Sequence, residues 1–153
     1  MKVRDLMTSD VRTCTPATNL GEAAALMLDG DCGILPVVEN GLLLGVVTDR
    51  DLFIALGTRN QPAGDVQVGQ VMGGAAYTCA PDDDVLDVLT TMKERRVRRL
   101  PVQGFGGAVA GIISINDIVL AVGGRKGIRD GDVAATLKAI CAHHHPAPRI
   151  AAA

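Results

Sequence analysis

The chain has 153 residues, 48% apolar and 21% charged, a composition that fits a globular protein and excludes a disordered or collagen-like one. Its formal net charge of −2 gives no general attraction to nucleic acid, whose binders carry a basic surface. No apolar run approaches the roughly 18 residues of a membrane span, and residues 1–10 lack the apolar stretch of a secretory leader, so a cytoplasmic location is expected with neither membrane nor nucleic acid as partner.

In chain order, a short extended segment at Thr13 to Thr15 is followed by Pro16. Leu20, Ala24, Met27 and Leu28 then recur at helical spacing, with Asn19 as the candidate cap. The apolar runs 34–38 and 42–47, separated by a glycine-containing turn, predict a hairpin. A second helix is expected from Thr48 to about Gly57, where glycine is a natural stop. Residues 61–67, with Pro62 and Gly64, read as a linker. The same order then returns. Val85, Val88, Leu89 and Met92 mark a helix capped by Asp84, the runs 100–102 and 108–113 a hairpin, and Ser114 to about Gly123 a closing helix.

The chain is therefore written twice. Thr13-Cys14-Thr15-Pro16 matches Thr78-Cys79-Ala80-Pro81 at an offset of 65, which also pairs Met7 with Met72 and Leu35-Pro36-Val37 with Leu100-Pro101-Val102. After one inserted residue, Gly45–Leu52 falls on Gly111–Ile118. Repeats of this kind set the fold: an α+β protein of two pseudo-twofold-related β-α-β-β-α units. The first unit spans 1–60 and the second 68–124, with a C-terminal extension over 125–153. Neither unit of about 60 residues buries enough surface alone, so the two are expected to pack sheet to sheet and leave symmetric clefts.

The informative motif is Gly45-Val46-Val47-Thr48-Asp49-Arg50-Asp51, repeated as Gly111-Ile112-Ile113-Ser114-Ile115-Asn116-Asp117. A helix N-terminus offers unpaired N–H groups to an anion, glycine lets a flat ring approach the backbone, and a first-turn aspartate can accept from the vicinal hydroxyls of a ribose. Thr48-x-x-Asp51 and Ser114-x-x-Asp117 equally match a capping box that needs no ligand, and both readings stand on these residues. Arg50 is a cation on a first helical turn, unfavourable for the dipole unless an anion is near. Lys93, Arg95 and Arg96 suit a solvated helix end, whereas Arg98 and Arg99 carry guanidinium forks suited to phosphate.

The pattern G-h-h-[ST]-x-x-D-[LI] (h apolar) after an h-P-V strand, present twice over residues 1 to 123, resembles the paired CBS domains of inosine monophosphate dehydrogenases, chloride channels and AMP-activated kinase gamma subunits. The resemblance implies a regulatory module holding an adenosine-containing ligand: AMP, ADP or ATP first, with S-adenosylmethionine or NAD(H) as alternatives. It implies that Asp51 and Asp117 hold ribose, with Thr48 and Ser114 beside them. Thr13 to Thr15 and Tyr77 to Cys79, including Thr78, would edge the adenine. By the same likeness Arg98 and Arg99 reach the phosphates at the Asp51 site. Gly33 and Ile34 occupy the equivalent positions in the first copy and carry no charge, a departure that weakens phosphate binding at the Asp117 site. A homodimer and a regulated target protein also follow from the resemblance.

Cys14, Cys32, Cys79 and Cys141 form no C-x-x-C pair, and Cys14 and Cys79 read as small core residues. The tail places Val133, Leu137, Ile140 and Cys141 on one helical face over 130–145. His143, His144 and His145 are consecutive and cannot converge on one metal from a helix, so no metal site is assigned. No nucleophile–base pair or P-loop is present, so no catalytic residue or catalytic cofactor is expected. The alternative to a sensor is a constitutive structural subunit with vestigial sites.

Overall fold

Each repeat builds a helix, a hairpin and a second helix. In the first these are α1 (Leu20–Asp29), β1 (Ile34–Glu39), β2 (Leu42–Thr48) and α2 (Asp49–Arg59); in the second, α3 (Val85–Arg95), β3 (Arg99–Gln103), β4 (Val109–Ser114) and α4 (Ile115–Ala121). A further helix, α5 (Asp130–Cys141), follows. The computed structural model of the chain describes residues 1–123 and 128–142; the histidines at 143–145 and the end of the tail lie outside them.

Local chemistry starts and stops these elements. Asn19 accepts the Glu22 N–H at 2.9 Å and Asp84 accepts that of Leu86 at 2.9 Å, satisfying donors that a helix start leaves open. Asn40 and Gly41, at φ 51° and 79°, make the two-residue turn between β1 and β2, where both central residues need positive φ. α2 runs past Gly57 and ends at Asn60, whose φ of 51° supplies the left-handed stop expected of the glycine. The stripe of α1 that is buried is Leu20, Ala23 and Met27, while Leu28 is exposed.

The strand expected at the head of each copy is reduced to a single parallel bridge. Cys14 joins Val37 and Cys79 joins Val102, with the Cys14 N–H donating to the Pro36 carbonyl and the Val38 N–H to the Cys14 carbonyl. Pro16 and Pro81 follow two residues later and lack the N–H that a longer ladder needs. Two two-stranded antiparallel sheets remain, pairing Ile34 with Thr48 and Arg99 with Ser114 at their cleft ends.

Two apolar cores form, one per repeat, and each borrows from the segment preceding the other. Val3 is fully buried among Val85, Met92 and Ile113 of the second repeat, and its N–H donates to the Asp83 carbonyl at 3.0 Å. Thr8 pairs with Ile112, and Arg4 forms an ion pair with Asp82. Reciprocally, Val66 and Val68, at the junction between the repeats, are fully buried in the first core beside Leu20 and Val47, and the Leu20 N–H donates to the Val66 carbonyl at 3.0 Å. Burial of an aliphatic side chain contributes roughly 1.5–3 kcal/mol, so this exchange fastens the repeats together without merging their cores. The hairpins face each other: β2 touches the Phe105–Gly107 turn, and the equivalent residues Ile34 and Arg99 stand together at the pseudo-twofold junction.

α5 packs along α3 and touches α4. Its buried face is Val133 and Thr136, with Ile140 half-buried, while Leu137 and Cys141, expected on that face, are exposed. Thr136 can be buried because its hydroxyl donates to the Asp132 carbonyl at 3.0 Å.

Candidate functional site

Two clefts lie at the junction. The first, of about 510 Å³, brings Thr48, Asp49 and Arg50 at the start of α2 together with Arg96, Val97, Arg98 and Arg99 of the second repeat, above Ile34 and Val46. The second, of about 460 Å³, brings Ser114, Asn116 and Asp117 at the start of α4 together with Asp29, Asp31 and Cys32 of the first repeat, and with Asp10 and Arg12 of its leading segment. Both volumes fall in the range of small-molecule sites. Arg99 and Ile34 line both clefts.

Both capping boxes form. Asp51 Oδ2 accepts the Thr48 N–H at 2.9 Å and its hydroxyl at 2.6 Å, and the Asp51 N–H returns to Thr48 Oγ1 at 3.3 Å. For Ser114 and Asp117 the distances are 2.7, 2.7 and 3.3 Å. Among the described residues Oδ1 of either carboxylate takes no hydrogen bond, so one oxygen caps the helix and the other is left to accept from a hydroxyl. Asp117 lines its cleft. Asp51 sits behind Thr48, and the helix-start side chains that line the first cleft are Thr48, Asp49 and Arg50.

The duplication provides an internal control on charge. Positions 96, 98 and 99 are arginines facing the first cleft, and their equivalents in the first repeat are Asp31, Gly33 and Ile34. The first cleft thus gathers four guanidinium groups against one carboxylate. In the second, Asp10, Asp29, Asp31 and Asp117 face Arg12 and Arg99. Opposite charges at a few ångströms in a partly dehydrated cleft interact by several kcal/mol, so the two clefts favour ligands of different charge. A Cβ at position 33 would stand 2.7 Å from Asp49 Oδ2, so a larger residue there would displace the Asp49 carboxylate.

Other expected site residues lie elsewhere. Because the segment after Val11 runs parallel to β1, Val11 and Arg12 lie at the cleft end beside Ile34. Thr13 and Thr15 are carried toward the hairpin turn, where they line a depression with Glu39, Asn40 and Gly41. Thr78 and Cys79 run along β3 in the same way; Cys79 is buried in the second core. The ring of Tyr77 lies under the Arg95 guanidinium, 4.9 Å from its centroid. Burial raises the Cys14 thiol from its ordinary 9.0 to about 11, and burial together with the Asp83 carboxylate raises Cys79 to about 12; both are core thiols rather than reactive ones. Gly45 and Gly111, expected to admit a flat ring, are covered by protein. Met72, Gly73 and Gly74 pass over Gly45, and Met7 and Thr8 over Gly111.

Arg12, Asp31 and Ile140 line the clefts without having been expected at a site, Ile140 having been read only as part of a packed helical face. Asp31 carried a legible signal, since the offset of 65 sets it against Arg96. Ile140 carried none, because no repeat covers α5. Among the described residues no group of three potential ligands forms a metal site, and no helix is long and apolar enough to cross a membrane.

Comparison with known proteins gives the family. The profile of the CBS domain matches residues 3–58 and again 68–124. The CBS domain-containing protein YhcV of Bacillus subtilis is 37% identical over 119 residues, covering 77% of this chain and 83% of its own. Among solved structures, the CBS domain pair of protein MJ0100 in complex with 5′-methylthioadenosine and S-adenosyl-L-methionine superposes with a TM-score of 0.73 at 25% identity, over 82% of this chain and 98% of that one. CBSX2 in complex with AMP gives 0.67 at 28% identity, over 78% and 94%. Two matched repeats, exchanged leading segments and a cleft at the head of each closing helix agree: the chain belongs to the CBS-domain family, as a tandem pair.

Proposed function

We propose that the chain is a non-catalytic regulatory module that holds an adenosine-containing nucleotide, AMP, ADP or ATP, in the first cleft. The observation that carries this reading is the convergence of the α2 N-terminus and Thr48 from one repeat with Arg98 and Arg99 from the other. The first-turn N–H groups of α2 are taken up by Gly33, Asp49 and Thr48, so the N–H donors for a phosphate come from the guanidinium forks, set beside the positive end of the helix dipole. Asp51 stands outside the lining of this cleft and acts there through its bond to Thr48, and Arg50, ill-placed on the first turn of a helix, gains an anionic partner. The adenosine ligands of MJ0100 and CBSX2 support the ligand class. A ligand touching both repeats shifts the population toward the form in which they are clasped, and a target protein reads that shift.

The second cleft, with its carboxylates, is less suited to phosphate. Both capping boxes close without help, and that favours a second reading in which the sites are vestigial and the chain is a constitutive structural subunit. Calorimetry with AMP, ATP, S-adenosylmethionine and NADH separates the two. The chain has no tryptophan and one tyrosine, so a co-purified nucleotide also dominates absorbance near 260 nm. Binding of none of the four ligands would leave the structural reading.

The same proposal includes a homodimer through α2 and α4. Phe53 of α2 and Leu120 of α4 are 78% and 85% exposed, and their repeat equivalents Val119 and Ile54 are exposed with Leu56, an apolar surface rarely left wet in a monomer. Sedimentation of the full chain tests it; a monomer at tens of micromolar would remove the dimer from the reading.

A further inference from the structure

We propose that α5 is a working part of the first cleft: Ile140 completes the apolar wall against which the base or sugar of a nucleotide rests, so that nucleotide binding and the seating of α5 on α3 are linked. This inference rests on the nucleotide reading of that cleft and adds to it a component from outside the repeats.

The first observation is that Ile140 has two sets of neighbours. It packs against the core of the second repeat and it lines the first cleft with Ile34, Val46 and Val97. The arginines of that cleft supply charge and hydrogen bonds, and these four side chains supply the apolar contact that a flat purine needs. Three of the four belong to the repeats, and the fourth stands on the last turn of α5.

The second observation is how α5 is held. Its attachment is burial of Ile128, Val133 and Thr136, with the Thr136 hydroxyl reaching the Leu89 carbonyl at 3.4 Å. The Arg129–Asp132 ion pair ties the first turn of α5 to the residue before it rather than to the body. α5 meets α3 at Leu89 and, one turn on, reaches the cleft beside Val97, just past the end of α3. A helix attached by one narrow stripe opens more readily than the core. Anything that binds only when it is seated holds it down by mass action. Occupancy of a cleft between the repeats is thereby transmitted to a helix outside them.

The test uses the full chain with AMP as the probe. Hydrogen exchange of the amides in 130–141 is compared with and without saturating AMP, and AMP affinity is measured for the wild type, Ile140→Ala and Leu137→Ala. Ile140 is only half-buried, so its truncation leaves the fold intact. Leu137, one turn before Ile140 on the same helix, 37% exposed and outside the lining of the cleft, controls for a general weakening of α5. The expected result is slower exchange across α5 with AMP, about tenfold weaker binding for Ile140→Ala, and affinity within twofold of wild type for Leu137→Ala. AMP binding to all three proteins with one affinity, without change in α5 exchange, would reduce α5 to passive packing while leaving the nucleotide reading intact. Failure of the wild type to bind AMP at all would remove that reading and this inference with it.

Discussion

Gly111 lies directly beneath the carbonyl of Thr8: a Cβ at position 111 would stand 2.6 Å from that oxygen and 3.1 Å from the sulfur of Met7. Thr8 is bound to Ile112 by a pair of main-chain hydrogen bonds, each 2.9 Å, so the oxygen cannot yield without loosening the exchanged segment. Gly111→Ala is expected to destabilise the protein by about 1–3 kcal/mol, the usual range for overpacking. Gly57, with open space around it inside α2, provides the contrast, since Gly57→Ala is expected to stabilise by about 0.4–1 kcal/mol. Urea midpoints of the two variants moving in opposite directions check the relationship.

Arg98 lines the first cleft alone, whereas Arg99 is shared by both. Arg98→Ala is therefore the cleaner probe of phosphate contact. Loss of a charge-assisted hydrogen bond, roughly 1.5–3 kcal/mol, predicts AMP binding weakened between about tenfold and a hundredfold. Binding of adenosine, which has no phosphate, should change little. Equal losses for AMP and adenosine in titration calorimetry would show that Arg98 acts through the shape of the cleft instead.

What the sequence discloses about this protein follows the range of the interactions. Thr48 with Asp51, Ser114 with Asp117 and Asn19 with Glu22 interact within three residues, so spacing alone reveals them, and the duplicated landmarks reveal two units. The exchange of Val3 and Val68 between cores leaves no local mark, because any buried valine looks alike in a sequence. Gly45 and Gly111 were legible as sites of close approach, but what approaches them is a neighbouring main chain rather than a ring. The direction of the segment from Val11 to Thr15 decides which of its residues meets a cleft, and direction is a property of the sheet. Ile140 reaches its cleft through a packing arrangement that neither repeat encodes.

Asp117 both caps α4 and lines the second cleft, and the two roles separate by experiment. Asp117→Ala removes a capping-box partner and should cost about 1 kcal/mol. If the proposed role of this carboxylate in holding a ribose is right, the same variant should also abolish binding of an adenosine ligand at the second cleft. Asp117→Asn keeps an acceptor for the Ser114 N–H and is expected to recover most of the stability without restoring full binding. If both variants lose stability alone and ligand stoichiometry is unchanged, the cap is the entire role of the residue.

The buried thiols give the protein an alkaline limit of calculable sign. Cys14 and Cys79 titrate near 11 and 12 in the folded chain, against an ordinary 9.0 for an exposed thiol, because each would be ionised inside an apolar core. Below pH 9 both states hold their protons and stability is independent of these groups. Between pH 9 and about 11 to 12 the unfolded chain has lost protons that the folded chain retains, so stability falls as pH rises. Thermal melts from pH 8 to 11 should show this decline, and Cys14→Ala should flatten part of it at some cost in packing. In the native protein at pH 8 a thiol reagent should react promptly with Cys141, the exposed cysteine, and reach Cys14 and Cys79 only on unfolding. Prompt modification of Cys79 in the folded state would contradict its burial against Val102, and with it the packing that fixes β3, Arg98 and Arg99 at the edge of the first cleft.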